Sequence, residues 1–303
     1  MRRPHLLLAV LIAVIWGVNF VVIDVGLDSF PPLLFAGLRF VVAAVPAVFF
    51  VGRPCVSWRW VVAIGLPLCG GQFGLLFTSM HLGMPAGLSS LALQAQAAFT
   101  LVFAAALLHE RIRARQIVGL VLAFAGIALI GTDLGQTAPP MALGLCLGAA
   151  AMWGVGNVAL RRARPPDMFN LMVWVSVVPP VPLLLLSLLL EGQRADVAAL
   201  TGLRAGGAGA LAYIAYVATL FGYGIWGWLL RHYDAGTVAP WTLLVPIVAM
   251  SSAAVLLGEH VGPRRLVAAV LIVAGVAVSS LRLRSRLSVR VRSEVAPDGA
   301  AAE

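Results

Sequence analysis

The sequence predicts an all-α integral membrane protein of ten transmembrane helices, arranged as two inverted five-helix repeats. Three observations predict it. The first is composition: 61% of the 303 residues are hydrophobic and 11% are charged, with a mean hydropathy of +0.99. A soluble domain is about half apolar and a quarter charged. The second is self-similarity. Residues 104–128, AAALLHERIRARQIVGLVLAFAGIA, return without a gap 149 residues later as 253–277, AAVLLGEHVGPRRLVAAVLIVAGVA. Apolar identities such as Leu107/Leu256 and Leu108/Leu257 are weak evidence in an Ala/Leu/Val-rich chain. Glu110/Glu259, Arg115/Arg264 and Gly126/Gly275 in one register are not. The third is arginine. The chain has 21 basic residues, all arginine, and with the N-terminus inside, sixteen fall on the cytoplasmic side. Four (Arg194, Arg204, Arg264 and Arg265) fall outside, and Arg39 lies within a span. That bias sets both termini in the cytoplasm.

The elements follow in order. The first span, 5–25, comes after Arg2 and Arg3 as a signal peptide would. Trp16, Asn19 and Phe20 stand where a cleavage site needs small residues, so it is read as an uncleaved helix. Apolar runs approaching the length that crosses about 30 Å of hydrocarbon then fall at 32–51, 60–79, 85–108 and 116–132. They return at 141–160, 170–190, 206–230, 238–257 and 265–282. The breaks carry Pro31-Pro32, Pro139-Pro140 and Pro165-Pro166. Pro179, Pro180, Pro182 and Pro246 lie inside spans and predict kinks.

Five spans per half turn the second repeat upside down, so Glu110 falls inside and Glu259 outside. The halves are 1–135 and 136–282, followed by a basic, disordered cytoplasmic tail at 283–303. That tail either meets anionic lipid or is a solvated segment that fixes topology. A second echo, Trp16-Gly17-Val18 and Trp153-Gly154-Val155, has an offset of 137. The missing twelve residues are assigned to a longer connection after the seventh helix, Glu191 to Arg204.

The candidate chemistry is sparse. Arg39 is the one charge well inside a span, where insertion costs roughly 2.5–3.5 kcal/mol. It either holds a substrate carboxylate or caps backbone carbonyls and snorkels to an interface. Tyr213, Tyr216, Thr219 and Tyr223 are spaced as one face of the eighth helix, with Trp226 a turn further on. Such a stripe lines a cavity or a helix interface. Trp16 with Asn19, and Trp153 with Asn157, give each half a Trp/Asn pair. Gln72, Gln94 and Gln96 add neutral donors and acceptors; Gln94 and Gln96, about 200° apart on one helix, are not expected to share a cavity. Glu110 and Glu259 sit beside arginines at helix ends and read as hinge ion pairs or caps.

Other classes are poorly served. No carboxylate lies mid-span to relay protons, and GxxxxGK[ST], HExxH and GxSxG are all absent. Cys55, Cys69 and Cys146 have no metal or disulfide spacing. An enzyme, a cofactor and a nucleic-acid partner are not expected; the expected partners are small metabolites and membrane lipids, and a monomer suffices.

Five stretches carry a resemblance: WGVNFVVIDVGLDSFPPLLFAGLRF (16–40), MPAGLSSLALQAQAAFT (84–100), HERIRARQIVG (109–119), VATLFGYGIWGWLLRHY (217–233) and VAPWTLLVPIV (238–248). They resemble inner-membrane exporters of the drug/metabolite transporter superfamily with two EamA-type domains, in the branch that exports O-acetylserine and cysteine. The absence of lysine departs from typical members. The resemblance implies export of small amino-acid metabolites across the bacterial inner membrane by alternating access. It implies a substrate cavity at Trp16, Asn19, Arg39, Gln72, Gln94, Gln96, Trp153, Asn157, Tyr216, Tyr223 and Trp226. A pocket for aromatic amino acids or a cationic drug is the alternative within transporters. Outside them stand a membrane enzyme and a non-transporting scaffold.

Overall fold

The computed structural model describes residues 1–134 and 138–280; the basic tail lies outside the described residues. The chain is helical, with no strand among the described residues. We label the helices α1 (Arg3–Leu27), α2 (Pro32–Val48), α3 (Trp58–His81), α4 (Ala86–Leu108), α5 (Ala114–Leu134) and α6 (Pro140–Ala163). They continue as α7 (Met168–Thr201), α8 (Ala205–His232), α9 (Pro240–Leu256) and α10 (Pro263–Ser280). Seven stretches, in α1 and α3 to α8, are long and apolar enough to cross a membrane, and α2 and α9 are shorter apolar helices. Prolines open α2, α6 and α10, where their missing N–H has no helical partner anyway. Side chains such as Phe50, Val255 and Leu189 are four-fifths exposed or nearly so. Lipid, not water, suits that surface.

Four helices depart from regular geometry, and the departures in α3, α4 and α8 adjoin the site described below. Hydrogen bonds to the fifth residue back replace the α pattern at Leu66–Gly71 in α3, Leu188–Gly192 in α7 and Tyr213–Phe221 in α8. A turn at Leu93-Gln94 divides α4. In α7 the chain breaks at 176–179, ahead of Pro180. It is helical again as far as Gly192, where φ turns to 93°, and Gln193–Thr201 forms a further helical segment. The expected connection at 191–204 is therefore largely helix, and this added segment takes up most of the extra length.

Small residues let the helices meet at backbone distance. A Cβ on Gly119 of α5 would lie 2.5 Å from the Gly275 carbonyl oxygen of α10, and one on Gly275 2.6 Å from that of Gly119. Gly126 meets the Ala268 carbonyl at 2.9 Å. Gly17 of α1 packs on Val248 of α9, and Gly154 of α6 packs on Phe99 and Thr100 of α4. Close packing of this kind supplies the association energy where lipid removes the hydrophobic drive.

The two hinges share one backbone shape. α4 ends with His109 at φ 57° and α9 with Gly258 at φ 71°. The next N–H then turns back: Glu110 donates to the Ala104 carbonyl at 3.5 Å, and Glu259 to the Ala253 carbonyl at 3.3 Å. The carboxylates part company. Glu110 pairs with Arg161 of α6 at 3.2 Å on an exposed face. Glu259 accepts from the Gly87 N–H at the start of α4 at 3.2 Å.

Candidate functional site

α1, α2, α3, α4, α6, α8 and α9 enclose a cavity of about 580 Å³. Ten of the eleven expected residues line it: Trp16, Asn19, Arg39, Gln72, Gln94, Gln96, Trp153, Asn157, Tyr223 and Trp226. Tyr216 does not; it is 48% exposed on the outer surface of the bundle. The π turn at 213–221 explains this. A wider turn advances each side chain by less than the α-helical 100°, so α spacing no longer defines one face. Tyr213 also turns away, donating its hydroxyl to the Ile15 carbonyl at 2.9 Å. Gln94 and Gln96 do share the cavity, contrary to expectation, because the turn at Leu93-Gln94 separates them.

Arg39 is the centre of the site and only 2% exposed. Its Nε donates to the Thr219 hydroxyl oxygen at 3.0 Å. That hydroxyl donates in turn to the Ile214 carbonyl at 2.6 Å, a group within the π turn of α8. The guanidinium lies 3.9 Å from the centroid of the Phe73 ring, a distance at which the ring face attracts a cation. Its Nη1 is buried and has no hydrogen-bond partner in the protein. Among the described residues neither Asp nor Glu lines the cavity, and Arg161 at its edge adds a second positive charge.

The orphan Nη1 has counterparts. Asn19 Oδ1, Gln72 Oε1 and Gln96 Oε1 are also buried without partners. Buried polar atoms are nearly always satisfied by protein, water or a guest. One unpaired donor on a cation and three unpaired amide oxygens thus face one largely apolar cavity. Two other polar groups of the lining are paired within the protein: Asn157 donates to the Thr100 hydroxyl at 3.3 Å, and Trp16 Nε1 to the Ala218 carbonyl at 3.0 Å. Trp16 also packs against Tyr223 and Trp226, with ring centroids 5.3 and 5.4 Å apart and the planes tilted by 51° and 55°.

Sequence reasoning missed Phe73, Ser90, Thr100 and Arg161 in the lining, and the role of Thr219. Thr219 belonged to the hydroxyl stripe, but its pairing with Arg39 joins α2 to α8, which no local pattern reports. Thr219→Val removes a hydrogen bond to a charged group, an effect of about 1.5 kcal/mol or more. It is expected to raise the transport KM about tenfold at unchanged surface expression, with Thr219→Ser restoring it; a change in maximal rate alone contradicts this placement.

Residues 3–132 match the EamA-like transporter family, and residues 140–281 match it again. The chain belongs to the EamA-like transporter family. This EamA protein is therefore a multi-pass membrane protein of the drug/metabolite transporter type. It is 45% identical, over 96% of its length and 99% of the relative's, to a probable amino-acid metabolite efflux pump of Salmonella typhimurium. A protein of Escherichia coli K12 with the same description is 41% identical over 97% of this chain and 100% of its own. A solved crystal structure, 19% identical, superposes with a TM-score of 0.62 over 97% of this chain and 100% of that one. That likeness is one of fold alone.

Proposed function

We propose that this EamA protein exports small amino acids and their derivatives, O-acetylserine and cysteine first among them, across the bacterial inner membrane. The observation that carries the reading is the cavity's inventory among the described residues: a buried guanidinium with its Nη1 unpaired, three unpaired amide oxygens and no carboxylate. An α-amino acid is a zwitterion. Its carboxylate suits Arg39 Nη1 in a charge-assisted bond, and its ammonium suits amide oxygens. A cationic drug does not suit a cavity whose charges are both arginines. The two bacterial relatives, both probable amino-acid metabolite efflux pumps, support the same class.

Alternating access follows from the repeat. In the 149-residue register Gly119 corresponds to Ala268 and Gly126 to Gly275. The contacts Gly119–Gly275 and Gly126–Ala268 are then exchanged images of each other, as a two-fold axis across the helices requires. By the same logic Gly17 on Val248 answers Gly154 on Phe99. We assign all ten helices to the membrane, residues 1–135 and 136–282 to inverted halves, and both termini to the cytoplasm. The halves rock about the cavity between them, carrying the bound zwitterion from one face to the other.

A second cargo has an observation of its own. Trp16, Trp153, Tyr223 and Trp226 surround a volume that admits an aromatic side chain. The test is efflux from loaded cells. Labelled O-acetylserine and cysteine should leave cells carrying the protein faster than empty-vector cells. If only phenylalanine or tryptophan leaves faster, the cargo is aromatic; if no amino acid does, amino-acid export is wrong.

A further inference from the structure

Glu110 and Glu259 occupy matching hinges with matching backbones, yet only one of them is docked. Glu259 reaches across to α4 and accepts from the Gly87 N–H, Oε2 at 3.2 Å and Oε1 at 3.4 Å. Gly87 is required there: a Cβ would stand 3.0 Å from the carboxylate and 3.3 Å from the Met250 backbone. Glu110 instead meets Arg161 in solvent, with both side chains about half exposed.

The partner of Glu259 is repeated too. Extended upstream, the 149-residue register sets Ala86-Gly87 against Ala235-Gly236. The latter pair opens a short helix, Ala235–Val238, just ahead of α9. Each half therefore carries a hinge glutamate and an Ala-Gly helix start, and the register pairs each glutamate with the Ala-Gly step of the other half.

The cavity is asymmetric in the same sense. Its lining reaches Leu160, Arg161 and Leu230 toward the Glu110 face. Toward the Glu259 face it includes nothing of α4 before Ser90. The lining is exposed at Arg161, on the side of the undocked glutamate, and buried at Phe20, Leu76 and Ser90 on the other.

We propose that the two glutamates form an exchanging latch that sets the transport cycle: Glu259 on Gly87 holds the outer face closed, and Glu110 on Gly236 holds the inner face closed when the outer one opens. This rests on the inverted-repeat exporter reading and adds the residues that stabilise its two end states. The docked contact is one that can break. Burial raises the Glu259 pKa, while the Gly87 and Ala86 N–H groups and Arg265 lower it and Asp24 raises it further. Desolvation and attraction thus oppose each other, as a reversible contact needs.

The test reads access, not cargo. In a full-length background with Cys55, Cys69 and Cys146 replaced by serine, Val245→Cys supplies one thiol in the cavity wall. A membrane-impermeant maleimide is applied to intact cells and to inside-out vesicles. The parent should label faster from the inside. Glu259→Ala should raise labelling from the outside at least threefold and lower it from the inside, with Glu259→Gln between the two. Glu110→Ala, an exposed change that leaves packing intact, should favour the inside further. If Glu110→Ala moves neither rate, or both variants move them in one direction, the latch is wrong and alternating access stands. A parent thiol reached from neither side would overturn alternating access, and the latch with it.

Discussion

Arg39→Ala abolishes efflux while the protein remains folded in the membrane. Among the described residues Arg39 makes one hydrogen bond, to Thr219, and its Nη1 has no partner. Removing one partner of a buried, hydrogen-bonded charge pair costs about 2–5 kcal/mol of binding. Initial efflux at subsaturating substrate should therefore fall by at least about thirtyfold. The fold should tolerate the loss, because the substitution withdraws a buried charge that no carboxylate neutralises. Arg39→Lys separates charge from geometry. An ammonium keeps the charge but lacks the planar fork that reaches Thr219 and a carboxylate together. It should retain a small part of the activity, with the loss in KM. Equal efflux by wild type and Arg39→Ala at matched expression would remove Arg39 from the site.

Gly275→Leu should destabilise the folded protein by about 3 kcal/mol, the upper range for overpacking a tight contact. A Cβ at this position would already lie 2.6 Å from the Gly119 carbonyl oxygen and 2.7 Å from the Ala123 nitrogen. These are backbone atoms, so no rotamer relieves the clash; α5 and α10 must separate along their shared face. The exchanged contact predicts a second result. Gly126→Leu, against the Ala268 carbonyl at 2.9 Å and Ile272 Cγ1 at 2.6 Å, should cost a similar amount. Gly144→Leu on α6 meets nothing within 4 Å and is the control. Thermal unfolding of the detergent-purified protein measures all three. A midpoint for Gly275→Leu equal to that of Gly144→Leu would mean that the two helices do not meet as described.

The sequence by itself determined the membrane class, the stretches that become helices, the internal repeat and the stock of polar groups available to a site. Those follow from quantities that add along the chain: apolar length, the spacing of proline and glycine, and identities in a fixed register. Arg39 stood out without any structure because a charge within a span needs a reason wherever it points. Direction was another matter. Which side of a helix a residue faces depends on every hydrogen bond before it, and one π turn or break resets the phase. That is why Tyr216 lies outside the cavity and why Gln94 and Gln96 share it. Tertiary structure alone decided the partners: Thr219 for Arg39 across 180 residues, Gly87 for Glu259 across 172, and Arg161 for Glu110. The twin glutamates are the sharpest instance. Their local sequence and backbone match, and their different partners are set only by which end of the cavity is closed.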